Sequence, residues 1–365
     1  MIYFDHAATT QMSESALKIY MQVAQQFYAN SDSLHLFGNQ SSNIITQAKT
    51  NISELLHIPT EGLVFTNGGT QGNQLGIVSL LNTSEERCDV LVSPLEHSSV
   101  YQTLERLELQ GKINVCTLPV NSEGKVSPEV LENAITHRTA LIIIQAVNSV
   151  TGIVQDISDL KIIAKNNDVP FFMDAVQAIS KIPLDFVDIS GFSVSSHKFN
   201  GPKGCGLLFL SPNAIVTPQY KNVFQQNGIL PGTVDVPAIA SLAVALQDNY
   251  LKINENLKHF QELKFKLVTS IAQTIKVIKG DFPGICGLVL PNTQGQEVVT
   301  KMGQLGICLS TVSACSILDP RPDPSLRSVG LMDSEISRYI RVSFGFDNTL
   351  EEVEILVKKL NTLFA

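Results

Sequence analysis

Between residues 63 and 210 the chain repeats one unit: a short run of apolar residues, a polar or glycine-bearing turn, and a longer stretch with helical spacing. Several of the runs, such as 140–147 (ALIIIQAV) and 170–173 (PFFM), show no alternation of apolar with polar residues, so both faces of each strand must be covered. Strands that alternate with helices in this way predict a mainly parallel sheet, because parallel neighbours need a crossover and the crossover helix covers a face. The fold class is therefore α/β. Ligands of such sheets sit beyond the carboxyl ends of the strands, which makes side chains at those ends the first candidates for chemistry.

Residues 191–210, GFSVSSHKFNGPKGCGLLFL, break an apolar strand at Ser195, Ser196, His197 and Lys198, turn through Gly201 and Pro202, and resume as a strand. A lysine on a rigid break between two buried strands is poorly hydrated, which lowers its pKa and makes its amine nucleophilic toward carbonyls. Ser195 and His197 beside it supply donors suited to a phosphate. The plainer alternative is a lysine that closes a surface hairpin. Residues 170–179, PFFMDAVQAI, deliver Asp174 to the end of a second buried run, where its charge needs a cationic partner. A protonated pyridine nitrogen, as in pyridoxal phosphate, is such a partner; the alternative is an aspartate that caps a helix starting at Ala175. In residues 63–80, LVFTNGGTQGNQLGIVSL, a glycine-rich turn feeds a helix start, where free N–H groups at Gly69 and the Thr70 hydroxyl favour a phosphate.

Composition narrows the classes. In 365 residues there is room for two or three average domains, or one large and one small, and 44% hydrophobic against 16% charged content describes a chain with a generous core. A net charge of -8 with no basic cluster argues against direct nucleic-acid binding, and the apolar runs are too short to span a bilayer, so a cytoplasmic protein is expected. Six cysteines with no C-x-x-C pair form neither a disulfide framework nor a zinc site, and no metal is expected. Cys315 alone lies in a polar, proline-rich stretch, TVSACSILDPRPDPSLRSVGL, where an exposed thiol is expected. Arg341 sits in an alternating strand, IRVSFG, as a fork that can grip a carboxylate.

The DAVQ and SSHKFNGPKGCG strings resemble the cofactor core of the class V aminotransferase group, within the pyridoxal-phosphate enzymes of fold type I. More narrowly, the whole chain resembles the cysteine desulfurases of the NifS and IscS kind. IYFDHAATT at residues 2–10 is similar to the family's Y-x-D-x-A-A-T-T opening, and ANSDSLHLFG at 29–38 to its G-N-x-S-S-x-H-x-x-G, with Ala29 and Asp32 as departures and His35 read as structural. TNGGTQGN follows T-S-G-x-T-E-S-N-N, with Gln71 and Gly72 in place of the usual polar pair. Asn148 opens an N-x-E-T-G motif in which Val150 replaces the glutamate. In residues 220–238, Gly232 and Thr233 remain of an R-x-G-T stretch and Pro237 of the helix start that follows it, while Leu230 and Gln226 stand where an arginine and a glutamate are usual. The paired loss reads as a lost ion pair. Cys315 lies in S-A-C-S, and Arg341 in I-R-x-S-x-G.

The resemblance implies a division into a large cofactor-binding domain, residues 15–250, and a small domain formed by 1–14 and 251–365. It implies pyridoxal phosphate attached to Lys198, its phosphate held by Gly69, Thr70, Ser195 and His197 and by Thr233 from the other subunit of a homodimer. Asp174 faces the ring nitrogen, Gln177 and Asn148 the phenolic oxygen, and His97 stacks on the ring and assists proton movement. Arg341, with Asn148, takes the carboxylate of L-cysteine, and Cys315 removes the sulfur as a persulfide, leaving alanine. The sulfur then goes to an acceptor protein, an iron–sulfur scaffold or a tRNA-thiolating enzyme. Two alternatives keep the fold: a selenocysteine lyase or another class V lyase, and a catalytically weak relative that binds a partner.

Overall fold

Seven strands form one sheet in the computed structural model of the chain, which describes residues 1–81, 88–312 and 323–364. The first part of the chain runs β1 (Ile2–Tyr3), α1 (Glu14–Gln26), α2 (Leu36–Leu56), β2 (Leu63–Thr66), α3 (Gly69–Leu80), β3 (Cys88–Val92), α4 (Ser98–Leu109), β4 (Ile113–Thr117), α5 (Pro128–Ala134), β5 (Thr139–Gln145), α6 (Ile157–Asn166), β6 (Phe171–Asp174), β7 (Gly191–Ser195) and β8 (Gly206–Leu210). The sheet order is β2-β8-β7-β6-β5-β3-β4. From β7 to β4 every neighbouring pair is parallel. β8 runs antiparallel to both its neighbours, because residues 196–205 are too few to carry a crossover.

The two faces of the sheet are both covered, as the unalternating apolar runs require. Ile142, Ile144, Phe171, Met173 and Phe192 pack into one core, while Leu141, Ile143, Phe172 and Leu208 enter a second core on the opposite face. Successive residues of β5 and β6 thus alternate between two interiors, each fully buried Ile, Leu or Phe contributing about 1.5–3 kcal/mol. β2 is the edge strand next to β8, and its Phe65 backbone is met by the side chain of Gln226. Gln226 accepts from Phe65 N at 2.6 Å and donates to Phe65 O at 2.9 Å, from a left-handed backbone at φ 44. An amide therefore completes the ladder of an exposed edge, a task that needs a donor and an acceptor on one side chain. Leu230 packs against the second core.

Beyond the sheet come α7 (Val236–Tyr250), α8 (Ile253–Ser270), β9 (Lys276–Val277), β10 (Ile285–Val289), α9 (Gly295–Gln304), β11 (Ile307–Cys308), α10 (Pro324–Ser328), α11 (Asp333–Ile336), β12 (Tyr339–Ser343) and α12 (Leu350–Phe364). α7 and α8 are separated only by Leu251 and Lys252. β9, β10 and β12 form an antiparallel sheet, and β1 pairs in parallel with β11. The N-terminal segment then crosses to the main sheet: Ala7 N donates to Ser343 Oγ at 2.9 Å, and Thr10 N donates to His197 O at 2.9 Å. That crossing brings residues 5–10 between Arg341 and Lys198. No helix among the described residues is long and apolar enough to cross a membrane.

Candidate active site

A cavity of about 210 Å³ opens where β6, β7 and the start of α3 end together. It is bounded by Gly69, Thr70, His97, Asp174, Gln177, Ser195, His197, Lys198 and Arg341, all expected from the sequence. Asn73, Gln145 and Ser149, which the sequence had not singled out, also line it. The turn before α3 needs its glycines. Gly68 lies at φ 136, and a Cβ on Gly69 would stand 2.5 Å from Val176 Cγ2, so the helix start can approach the β6 turn only without side chains. The first N–H groups of α3 and the positive end of its dipole therefore face the cavity.

Asp174 terminates β6 at 1% exposure and is held by donors alone. Asn73 Nδ2 donates to its Oδ2 at 2.9 Å, Gln145 Nε2 at 3.5 Å, and Val176 N donates to Oδ1 at 3.0 Å. None of the ion pairs among the described residues engages it, so a buried carboxylate on the cavity wall is left to meet a cationic group of a ligand. Asn73 is itself fixed by donating to Ser99 Oγ at 2.9 Å and by accepting from Ser193 Oγ. A second carboxyl stands close by. Glu96 is fully buried, accepts from Gln145 N at 2.6 Å, and has no partner for Oε2 among the described residues; burial and then the Asp174 charge push it well above the usual carboxylate range.

The two histidines are both disfavoured as cations. His97 caps α4, its Nδ1 accepting from Ser99 N at 3.2 Å, which leaves the proton on Nε2. Burial lowers its pKa, Asp174 acting against this and Lys198 with it. His197 meets Thr9 Oγ1 at 3.0 Å, and burial with the charges of Lys198, Lys181 and Lys203 pushes it down to about 4. Lys198 follows β7 in a single helical turn and is only half-buried. Its Nζ donates to Ala7 O and Ala8 O, each at 2.7 Å, so the N-terminal crossing holds the amine in the cavity. Lys181 is more withdrawn from water than Lys198, and its Nζ donates to Gln177 Oε1 at 2.7 Å.

Arg341 lies in β12 at 2% exposure. Its Nη2 donates to Asp5 Oδ1 and its Nη1 to Ser149 O, both at 2.8 Å, while Nε has no partner among the described residues. Among the described residues, two of the five guanidinium donors are thus committed and three remain. Asn148 is not on the cavity wall. Its amide donates to Leu95 O at 3.1 Å and Ser325 Oγ at 3.0 Å, and its Oδ1 accepts from Val150 N, Thr151 N and Thr151 Oγ1, so it ties the turn after β5. Ser149, the next residue, takes the place on the wall expected for it. Thr233 is exposed and away from the cavity of its own chain, its Oγ1 accepting from Asn30 Nδ2 at 3.5 Å. Cys315 lies outside the described residues.

These residues fit pyridoxal phosphate on this chain's own chemistry: a helix start with hydroxyl and imidazole groups for the phosphate, an amine for the aldehyde, and a buried carboxylate for the ring nitrogen. Comparison with known proteins agrees. The family model described as aminotransferase class-V matches residues 2–356. A NifS-named relative from Halalkalibacterium halodurans is 33% identical over 368 residues, spanning 100% of this chain and 98% of the relative. A cysteine desulfurase of Nostoc sp. is 29% identical over 378 residues, spanning 100% of this chain and 94% of the relative. The solved structure of a NifS-like protein superposes with a TM-score of 0.92 at 27% identity, over 99% of this chain and 98% of the other.

Proposed function

The chain belongs to the aminotransferase class-V family, and from that membership we propose that it is a pyridoxal-phosphate-dependent cysteine desulfurase, which releases L-alanine from L-cysteine and carries the sulfur as a persulfide on Cys315. The observation that supports this reading most strongly is the meeting of Lys198, Asp174, His97, Gln177, His197 and Arg341 in one cavity. The cofactor supplies an aldehyde for the substrate amine and a ring that withdraws electrons from the substrate's α-carbon. Lys198 binds the aldehyde, and Asp174 keeps the ring nitrogen protonated. Gly69, Thr70, Ser195 and His197 hold the phosphate, a neutral His197 acting as a hydrogen-bond donor. Arg341 turns its spare donors to the substrate carboxylate while Asp5 and Ser149 fix the plane of its fork. The Lys198 amine would take the substrate's α-proton, and the neutral His97 imidazole would pass protons near the ring. The Cys315 thiolate would attack the sulfur of bound cysteine, forming the S–S bond as the C–S bond breaks and its electron pair passes to the substrate's β-carbon, which takes a proton to give alanine.

A homodimer belongs to the same reading. Residues 28–37 and 220–233 adjoin through the Asn30 to Thr233 contact and expose Tyr28, Leu34, Leu36, Phe37 and Phe224. A second copy seated there would bury these side chains and bring Thr233 to the phosphate across the interface. The pairing of β1 with β11 supports a small domain made of residues 1–14 and 251–365 beside a large one of 15–250. The acceptor is a protein, an iron–sulfur scaffold or a tRNA-thiolating enzyme, and the site of action the cytoplasm. Cofactor absorbance and alanine release from cysteine test the reading, with Lys198→Ala expected to lose both and Cys315→Ser to keep the absorbance but form no persulfide. Full absorbance in Lys198→Ala would refute it. Turnover of selenocysteine with none of cysteine would favour the lyase instead.

A further inference from the structure

Gln177 lies between two groups that dictate how its side-chain amide must face. Lys181 Nζ stands 2.7 Å from Oε1, and Nε2 stands 2.7 Å from the carbonyl oxygen of Ala7. A lysine ammonium only donates and a backbone carbonyl only accepts. Exchanging the amide's oxygen and nitrogen, the ambiguity that usually attends a glutamine, would therefore break both bonds at once. Gln177 is 1% exposed and Lys181 8%, so water offers neither a substitute partner.

Lys181 stands among cations, and protonated or neutral it keeps N–H donors for Gln177 Oε1, while Ala7 O refuses an amide oxygen in either state. Lys198, Arg341 and the imidazoles of His6 and His197 face it, and burial with the Lys198 and Arg341 charges pushes it down to about 7. Its role in the mechanism above is none: it stands behind Gln177, which lines the cavity. With one Nε2–H given to Ala7 O, the second is the amide's remaining donor.

We propose that Lys181 is a positioning residue that fixes the Gln177 amide with its nitrogen toward the cavity, so that its remaining N–H serves the phenolic oxygen of pyridoxal phosphate. The proposal rests on the assignment of that cofactor to this cavity. A hydrogen bond from Gln177 favours the anionic oxygen, so its loss makes proton release from the bound cofactor harder. The holoenzyme reads this out directly as the pH midpoint of its visible absorbance. Lys181→Met is expected to raise the midpoint by about one unit, and Lys181→Arg, still a donor, to leave it near wild type. Gln177→Leu should raise it as much, with Lys181→Met adding nothing in that background, since both act through one bond. An unchanged midpoint in Lys181→Met overturns the proposal. So does a shift that persists in full beside Gln177→Leu, because Lys181 would then act on the ring by its charge. If Lys181→Met does not fold, Lys181→Gln, whose amide both donates and accepts and so no longer dictates the facing, carries the same expected rise and the same refutation. A wild-type protein that takes up no pyridoxal phosphate overturns the cofactor assignment itself.

Discussion

Arg341→Lys keeps the positive charge in β12 but removes the fork, and the structure says what that loses. Arg341 gives one donor to Asp5 and one to Ser149 O and holds three in reserve. A lysine ammonium has three donors in all. With Asp5 and Ser149 O still to be satisfied, it cannot offer two parallel bonds to a substrate carboxylate. One hydrogen bond to a charged group is worth about 1.5–3 kcal/mol, which corresponds to a loss of about 10- to 150-fold in kcat/KM for cysteine. The carboxylate stays bound to the arginine throughout, so most of the loss belongs in KM, as expected for uniform binding. Steady-state alanine release over a range of cysteine concentrations measures it, with cofactor absorbance as the control for an intact site. A variant with kcat/KM indistinguishable from wild type would refute the placement of the substrate carboxylate. A fall in kcat alone would mean that Arg341 acts on the reacting atoms instead.

Gln226→Glu removes the amide donor to Phe65 O and sets a carboxylate oxygen against that carbonyl, so it should destabilise the fold by about 1–3 kcal/mol. Thermal unfolding checks this, and an unchanged midpoint would show that the edge of the sheet needs no clamp. His197 gives a pH dependence with a defined sign. Its folded pKa of about 4 lies below the ordinary value near 6.5, so the unfolded chain binds the extra proton and the stabilisation, complete above pH 6.5, is lost as pH falls toward 4. The fall in thermal midpoint across that range should be shallower in His197→Gln, and equal slopes would contradict a buried neutral imidazole.

The legible part of this molecule was the part set by strand periodicity. Asp174 and Lys198 could be found because each stands where a buried strand stops, an unalternating run before Asp174 and an alternating one before Lys198, and such a stop in a mainly parallel sheet falls beside a ligand site. The direction of β8 was harder: it depends on the length of the link from β7, not on the strand itself. Asn148 shows the limit of reading a motif by residue type. Asparagine and serine lie side by side after β5, and only the turn geometry decides that Asn148 is consumed in holding the turn while Ser149 reaches the wall. Asn73, Gln145 and Glu96 were invisible for a related reason. They serve Asp174 and its surroundings from α3, β5 and the β3–α4 link, and nothing in one sequence says that these segments meet. Gln226 looked like half of a missing ion pair, and its use as a backbone partner for Phe65 appears only once β2 is known to be an edge.

Reduction of the holoenzyme with borohydride, followed by peptide mass mapping, tests the central assignment most directly, because it marks the lysine that carries the aldehyde. A phosphopyridoxyl group is expected on the peptide containing Lys198. Its appearance on Lys181, the more deeply buried amine behind Gln177, or on no lysine at all, would contradict it.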